Sequence, residues 1–175
     1  SLICACKNRY SALRISLNSW LSFEQIKEVI IVDWSSDESI SHLTKLDPRI
    51  KIITVSNQKY FNQPQPLNLA ASIATGDYIL KCDSDYIINP YYNFFDKYKI
   101  DDNSFVSGHH NYETPEFVNP ETGHAFIDKT SMSIDELNQY FSSYSAYFKY
   151  LTGFLFVSKK NFDAIGGYDE IFNKY

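Results

Sequence analysis

The amino-acid sequence predicts an α/β domain with a mainly parallel central sheet flanked by helices on both faces. Four short strand-like segments occur in the first half of the chain, and two of them, residues 2–5 and 29–32, are continuously apolar, which is typical of strands buried on both faces. Segments in which apolar residues recur at helical spacing lie between these four segments. Strands that alternate with helices indicate βαβ units, whose strands pair in parallel beneath the helices.

The first half of the chain contains the four predicted strands, at residues 2–5, 29–32, 50–55 and 78–82. A helix is predicted between the first two strands, because four apolar residues recur there at helical spacing: Leu13, Leu17, Trp20 and Leu21. The polar stretch before residue 50 has room for a short helix. A further helix is predicted to begin near Pro66, which suits a first helical turn, and to stop at Gly76.

The second half of the chain is less periodic. Residues 111–130 contain two prolines and a glycine without periodicity, which predicts a long loop. A capping-box spacing at Ser133 predicts a short helix, and the apolar residues 151–157 predict a strand. A final helix would begin at Ser158 and end before Gly166 and Gly167. Because no linker or repeat interrupts the sequence, we expect one domain over residues 1–175, with halves at 1–90 and 91–175.

The overall composition indicates a soluble globular domain. With 175 residues, 44% of them hydrophobic and 21% charged, the chain can form one core. Its net charge of −5 and the lack of a basic cluster argue against nucleic-acid binding. No run is long enough to span a membrane, and no signal-peptide pattern opens the chain. Cys4, Cys6 and Cys82 lie on predicted strands and are interpreted as reduced structural thiols, which suits a cytoplasmic location.

Acidic residues follow two of the predicted strands, at the point where each strand ends. Asp33 follows the second strand, and Asp83-Ser84-Asp85 follows the fourth. Ligands of such sheets bind at the carboxyl ends of the strands, so both acidic segments are expected at one edge. Carboxylates there suit Mg²⁺ or Mn²⁺ shared with a diphosphate. A carboxylate at Asp33 can also accept a hydrogen bond from a base N–H or a ribose hydroxyl.

Structural explanations compete with these functional interpretations. Asp83 or Asp85 can cap an amide in a turn, and Ser36 or Asp37 can cap a helix. The pair His109-His110 is a candidate metal ligand but is more typical of surface structure. Aromatic residues between 140 and 151 have helical spacing and are expected to pack rather than to bind a sugar. Dinucleotide binding is disfavoured, because no G-x-G-x-x-G follows the first strand.

Four segments of the sequence resemble, in order, segments of the family 2 glycosyltransferases, which have the GT-A fold. They are "LICACKNR", "EVIIVDWSSDES", "NLAASIATGDYILKCDSD" and "TGFLFVSKKNFDAIGGYDEIF". Together with their connections they cover residues 2–175. The resemblance implies a Rossmann-like GT-A sheet with a smaller acceptor-side sheet beside it.

The resemblance also implies an activity. Members of this family transfer a sugar with inversion from a nucleotide diphosphate sugar, usually UDP-linked, to an acceptor hydroxyl. The implied cofactor is Mn²⁺ or Mg²⁺, and the implied acceptor is a glycan, a lipid-linked molecule or a protein. Such an enzyme would build a polysaccharide, glycolipid or glycoprotein glycan in the cytoplasm, either free or peripheral to the inner face of the membrane.

Individual residues take their implied roles from the matched segments. Asp33 would contact the uracil, Asp83 would lie near the ribose and the metal, and Asp85 would ligate the metal. The other donor-side residues are Asn8, Arg9, Asn68 and Ser84. The residues that would frame the acceptor pocket are Gly153, Gly166, Gly167 and Tyr168. Asp169 and Glu170 are the catalytic candidates, because they are the acids of that segment, and we expect them to shape the pocket.

The sequence departs from the family pattern in ways that bear on function. Trp34 replaces the second Asp of a pair, so the role given to Asp33 depends on which Asp reads the base. The acidic pair that supplies the catalytic base follows the Gly-Gly-Tyr-Asp-Glu segment in the family, and this sequence ends at Tyr175, before it. We therefore hypothesise a donor-binding domain with little transfer activity of its own. The alternatives are a non-catalytic nucleotide-sugar or glycan-binding module and, disfavoured by a first loop without glycine, a nucleotidyltransferase.

Overall fold

The computed structural model of the chain describes residues 1–88, 94–97, 99–107 and 153–171. Several expectations fall outside these ranges: the long loop at 111–130, the short helix at Ser133, the aromatic series after residue 140, and the pair His109-His110. They stay predictions.

Six strands and four α-helices make up the described chain. The strands are β1 (Leu2–Cys6), β2 (Val29–Trp34), β3 (Ile50–Val55), β4 (Tyr78–Cys82), β5 (Phe105–Ser107) and β6 (Phe154–Ser158). The α-helices are α1 (Tyr10–Leu21), α2 (Pro64–Ile73), α3 (Phe94–Lys97) and α4 (Lys159–Ala164), and a 3₁₀ helix spans Ser41–Lys45. All four strands predicted in the first half are present.

The strands form one sheet in the order β3-β2-β1-β4-β6-β5. The pairs β1–β2, β2–β3 and β1–β4 are parallel, which confirms the predicted mainly parallel sheet. Strand β6 pairs antiparallel with both β4 and β5. In the described residues β5 and β6 therefore continue the central sheet.

Helices cover both faces of the sheet, as predicted. On one face Leu13, Leu17 and Trp20 of α1 pack against the sheet, and all three are fully buried. On the other face Leu67, Ala70 and Ala71 of α2 do the same. The continuous apolar runs of β1 and β2 are buried at every position, because each strand has a helix above it and another below.

Helix α2 begins and ends earlier than the sequence predicted. It starts at Pro64 rather than near Pro66, since proline is well suited to a first helical turn, and the Asn62 side chain accepts a hydrogen bond from the Gln65 N–H at 3.2 Å. It ends at Ile73 because Ala74 is already extended, so Gly76 lies beyond the helix end. In the described ranges, no helix has the length and apolar content needed to cross a membrane.

Candidate functional site

The carboxyl ends of β1, β2, β3 and β4 lie at one edge of the sheet, which we call the carboxyl edge. This follows from their parallel pairing, in which Cys6 is opposite Asp33 and Asp33 is opposite Thr54. Strand β6 runs the other way, so it begins at this edge, with Phe154 opposite Cys82. Open α/β sheets bind ligands at this edge, and most of the predicted site residues lie along it.

The Asp83 carboxylate at the end of β4 is held by two side chains. The Lys81 ammonium lies 2.6 Å from Asp83 Oδ1, and the Gln63 amide donates a hydrogen bond to the same oxygen at 2.8 Å. Asp83 also donates its backbone N–H to the Gly153 carbonyl at 2.9 Å. The carboxylate is thus fixed in place by its own chain rather than turned freely towards solvent.

Gly153 lies against Asp83 and has no room for a side chain. Its backbone has φ +105°, and a Cβ there would come 2.6 Å from Asp83 Oδ2. Only glycine adopts such a conformation readily and allows this approach. The predicted acceptor-side glycine therefore packs directly on the first acid of the Asp83-Ser84-Asp85 step.

Asp85 is the more available of the two acids. The Tyr86 N–H donates to the Asp83 carbonyl at 2.9 Å, so the chain turns after β4 through a backbone hydrogen bond. Ser84 is buried in this turn. The Asp85 carboxylate is partly exposed and makes no hydrogen bond or ion pair with any residue of the described ranges.

The acids of this turn fit a shared metal site but not a complete protein cage. Asp85 offers a free carboxylate, and Asp83 offers Oδ2, which are oxygen ligands of the kind that Mg²⁺ and Mn²⁺ prefer. The described part of the chain contains no cluster of three acidic, histidine or cysteine side chains that could hold a metal ion. Mg²⁺ and Mn²⁺ commonly combine one or two carboxylates of a protein with phosphates of the substrate.

The structure places Asp33 inside the sheet. Its exposed fraction is 1%, and its Oδ1 accepts a hydrogen bond from the Ser36 N–H at 3.0 Å. Trp34, which follows it, turns its ring into the core and donates its indole N–H to the Tyr60 carbonyl at 3.1 Å. Both side chains are thus buried and hydrogen-bonded within the protein, and the uracil contact expected of Asp33 remains a prediction.

The loops after β1 and β2 are joined by the side chain of Asn8. Asn8 Nδ2 donates to Asp37 Oδ2 at 2.9 Å, and its Oδ1 accepts from the Asp37 N–H at 2.8 Å. The Asn8 N–H donates to Ser36 Oγ at 2.9 Å. Asn8 is thus placed at the carboxyl edge as predicted, with its amide already bonded, while the neighbouring Arg9 side chain is exposed.

The loops after β2 and β3 are joined by residues that the sequence analysis missed. Ser35 Oγ donates to the Val55 carbonyl at 2.7 Å and accepts from the Gln58 N–H at 2.8 Å. Lys7 Nζ donates to the Trp34 carbonyl at 3.1 Å and the Gln58 carbonyl at 2.5 Å. The sequence shows these two residues only as a lysine and a serine in loops. Such residues are too common in loops to predict the hydrogen bonds that they form here.

Three residues other than glycine adopt left-handed backbone conformations in the described chain, and all three lie in these loops. They are Asn8, Ser35 and Asn57, with φ of 55°, 60° and 64°. Such conformations are uncommon outside glycine and cluster at functional sites, because the surrounding hydrogen bonds must hold them. The bonds of Asn8 and Ser35 described above do so here.

Asn68 on α2 holds the segment that contains the predicted acceptor residues. Its Oδ1 accepts from the Tyr168 N–H at 2.8 Å, and its Nδ2 donates to the Tyr168 carbonyl at 2.9 Å and to Glu170 Oε1 at 3.0 Å. Gly167, with φ +75°, passes so close that a Cβ there would lie 2.5 Å from Asn68 Oδ1. This predicted donor-side residue is therefore hydrogen-bonded to residues about a hundred positions further along the chain.

Tyr168 packs within this segment and lies near Asp83. Its ring packs on Phe162 with 5.5 Å between centroids. Burial raises the pKa of the Tyr168 hydroxyl well above its usual range, and the nearby Asp83 carboxylate raises it further. The hydroxyl is therefore a neutral group beside the acidic turn.

The two predicted catalytic acids are exposed at the end of this segment. Asp169 Oδ1 accepts from the Ile171 N–H at 3.0 Å, and Glu170 bonds to Asn68. Gly166 has φ +80°, and a Cβ there would meet no atom within 4 Å, so this glycine serves the turn after α4 and not a close contact. The structure thus brings Asp83, Gly153, Tyr168 and Glu170 into one region, although their roles stay predictions.

The three cysteines are free and buried, which confirms the interpretation of reduced structural thiols. Burial raises the pKa of the Cys6 thiol to about 11. The pKa values of Cys4 and Cys82 are also shifted upwards, chiefly by burial. Because a thiolate is the form that reacts and ligates metals, these residues do not add to the site.

A cavity of about 430 Å³ lies at the opposite edge of the sheet, where β4 begins and β6 ends. Its lining includes Tyr78, Asp102, Lys160 and Asp163. The two lysines beside it are already paired, Lys160 with Asp102 and Lys159 with Asp163, each at 2.6 Å. This cavity contains none of the predicted site residues.

Comparisons with known proteins agree with this architecture. The profile described as "Glycosyl transferase family 2" matches residues 1–165. No curated protein sequence matches the chain. Among solved structures, the mannosyltransferase PcManGT from Pyrobaculum calidifontis, in complex with GDP-Man and Mn²⁺, has a TM-score of 0.63 at 14% identity, over 97% of this chain and 47% of its own.

Residues 1–349 of S. aureus TarS in complex with UDP-GlcNAc give a TM-score of 0.50 at 21% identity, over 63% of this chain and 34% of that chain. Another crystal structure of TarS residues 1–349 gives the same TM-score and identity. The chain therefore spans about a third to a half of the solved proteins it resembles. These likenesses show the GT-A fold, and the profile match over most of the sequence shows that the chain belongs to glycosyl transferase family 2.

Proposed function

We propose that this chain is the nucleotide-sugar-binding domain of an inverting, metal-dependent glycosyltransferase, with a UDP-sugar as its donor. The observation that carries the proposal is the convergence at the carboxyl edge. Asp83 and Asp85 at the end of β4 lie beside Gly153 and beside the Tyr168 segment, which comes from the other half of the chain. A donor bound at the acids would thus lie next to the segment expected to receive the acceptor.

The donor side is proposed to bind the diphosphate through a divalent ion at Asp85. Mn²⁺ and Mg²⁺ are commonly held by one or two carboxylates together with substrate phosphates, which matches a turn that offers one free carboxylate. When bound, such an ion would offset charge on the leaving diphosphate. The complexes of the two solved relatives support this class of ligand, since one contains UDP-GlcNAc and the other GDP-Man with Mn²⁺.

The transfer itself is proposed to be a single displacement. The acceptor oxygen forms a bond to the sugar C1 while the bond from C1 to the diphosphate oxygen breaks, and the acceptor proton passes to a carboxylate base. We propose that Asp169 and Glu170 shape the acceptor side, since Asp169 already accepts a backbone hydrogen bond and Glu170 is bonded to Asn68. The acceptor is a glycan, a lipid-linked molecule or a protein.

A second candidate function is a nucleotide-sugar or glycan-binding module without catalysis. One observation favours it: the described acids beside Asn68 and at Asp33 are already hydrogen-bonded within the protein. Three buried free cysteines support a cytoplasmic location for either function, because thiols persist in a reducing compartment.

The test is a calorimetric titration of the purified chain with UDP and with GDP, each with and without Mn²⁺. We expect UDP to bind with Mn²⁺ and Asp85→Ala to abolish the metal-dependent part. Asp102→Ala is the matched control, because it removes an exposed acid at the opposite edge of the sheet. If neither nucleotide binds under any metal condition, the proposed function is wrong for this chain.

A further inference from the structure

A lysine in the interior of β4 faces the acidic turn. The Lys81 side chain is only 11% exposed, and its ammonium contacts two groups, Asp83 Oδ1 at 2.6 Å and the Gly153 carbonyl at 3.1 Å. A buried ammonium requires a partner of opposite charge, and in the described chain Asp83 is the acid paired with it. The Lys81 ammonium and the Asp83 carboxylate therefore form one ion pair, and Gly153, directly before β6, contacts both residues through its carbonyl.

The Lys81 contact changes what Asp83 can offer a metal ion. Its Oδ1 already forms an ion pair with Lys81 and accepts a hydrogen bond from the Gln63 amide. Its Oδ2 points towards Gly153, within 2.6 Å of where a Cβ would lie. A divalent ion placed on Asp83 would also lie close to an ammonium of the same sign, and like charges at such short range repel strongly. In the described ranges Asp85 has no such neighbour.

We infer that Lys81 is a positioning residue that acts as the built-in counter-ion of Asp83, so that Asp85 alone attracts the metal and the metal binds together with the nucleotide diphosphate. The inference rests on the proposed function and specifies its donor site. With the charge of Asp83 offset by Lys81, the turn attracts a free divalent ion weakly. For the same reason a diphosphate meets less repulsion at the turn, so the nucleotide should retain measurable affinity without metal.

The experiment measures Mn²⁺ and UDP binding separately. Free Mn²⁺ is followed by its electron paramagnetic resonance signal during titration with the chain in the absence of nucleotide. UDP binding is followed by calorimetry in the presence of a chelator. The variants are Lys81→Gln, which keeps hydrogen-bonding capacity without charge, Lys81→Arg, which keeps the charge, and Lys51→Met as a control. Lys51 forms an equally short ion pair, 2.6 Å from Glu28, but at the opposite end of the sheet.

We expect Lys81→Gln to bind Mn²⁺ alone about tenfold more tightly than the natural chain and UDP alone about tenfold more weakly, which is the effect of one unit of charge at close range. Lys81→Arg and Lys51→Met should change both affinities by less than about twofold. A purely structural role for Lys81 cannot produce this pattern, because misplacing the turn would weaken both ligands together.

The inference is overturned if Lys81→Gln leaves Mn²⁺ affinity unchanged or lowers it. Circular dichroism establishes that each variant is folded, and Lys81→Met replaces Lys81→Gln if the glutamine does not fold. Failure of the proposed function looks different: UDP and GDP then bind to no form of the chain, while the Mn²⁺ titration, which uses no nucleotide, still judges the role of Lys81.

Discussion

Substituting alanine for Gly153 tests whether this residue, which directly precedes β6, holds the Asp83 carboxylate in place. The backbone at Gly153 has φ +105°, and the new Cβ would lie 2.6 Å from Asp83 Oδ2, which is inside van der Waals contact. The contact can be relieved only by rotating the carboxylate away, because the Gly153 carbonyl is itself held by Asp83 and Lys81. Rotation separates Asp83 from Lys81 and Gln63.

The expected magnitude has two parts. A left-handed backbone costs a residue with a Cβ about 1–2 kcal/mol of unfolding free energy. Losing the ion pair with Lys81 and the hydrogen bond from Gln63 costs about 1.5–3 kcal/mol more. We therefore expect Gly153→Ala to lower the free energy of unfolding by about 2.5–5 kcal/mol. The matched control is Gly166→Ala, since Gly166 has φ +80° but no atom within 4 Å of its Cβ position. Gly166→Ala should lower the free energy of unfolding only by the backbone contribution, about 1–2 kcal/mol.

The assay is urea unfolding of the two variants and the natural chain, monitored by circular dichroism. The difference between the variants isolates the contact with Asp83 from the backbone conformation. Equal destabilisation of the two variants would show that Gly153 does not hold Asp83 in place. A folded Gly153→Ala protein should also bind UDP with Mn²⁺ more weakly than the Gly166→Ala protein does.

Three further predictions concern stability. Burial raises the pKa of Glu28, but hydrogen bonds led by the one from Lys51 outweigh it and lower the pKa to about 2, so this carboxylate stabilises the fold above its usual pKa. In urea unfolding at a series of pH values, this stabilisation should disappear as the pH falls from about 4.5 to 2. Glu28→Gln should make the free energy of unfolding depend less on pH over this range. Asn68→Asp cannot donate to the Tyr168 carbonyl, so we expect a loss of about 1–3 kcal/mol in unfolding free energy. An unchanged value would refute the role of Asn68 in holding the backbone of Tyr168. Arg49→Lys loses hydrogen bonds to three backbone carbonyls in and after the end of α1 and should lower the thermal midpoint, with about 1–3 kcal/mol lost.

The fold was largely predictable because its signal is local. Strand β1 and residues 29–32 of β2 are continuous apolar runs, and such a run predicts a buried strand whichever strands lie beside it. The direction and place of β6 were not predictable in this way. Its pairing with β4 joins residues such as Tyr78 and Ser158, which lie far apart in the chain, and an apolar run carries no information on the strand beside it.

The sequence predicted the position of the acids of the candidate site but not which residues contact them. Asp83 and Asp85 follow a strand, so their position at the carboxyl edge follows from the parallel topology. Lys81 appears in the sequence as one polar residue in an apolar strand, and its pairing depends on a turn and on Gly153, which directly precedes β6. Asn68 likewise appears as a helix-surface residue until the backbone of Tyr168 is placed against it.

The pairing of β5 with β6 has a consequence for how related chains can differ. Ser107 at the end of β5 is opposite Leu155 near the start of β6, so the sequence between the two strands begins and ends at neighbouring positions of the sheet. Connecting segments tolerate changes of sequence and length better than the elements that they join. Insertions, deletions and substitutions between these two positions can therefore accumulate among related chains while the six-stranded sheet keeps its order.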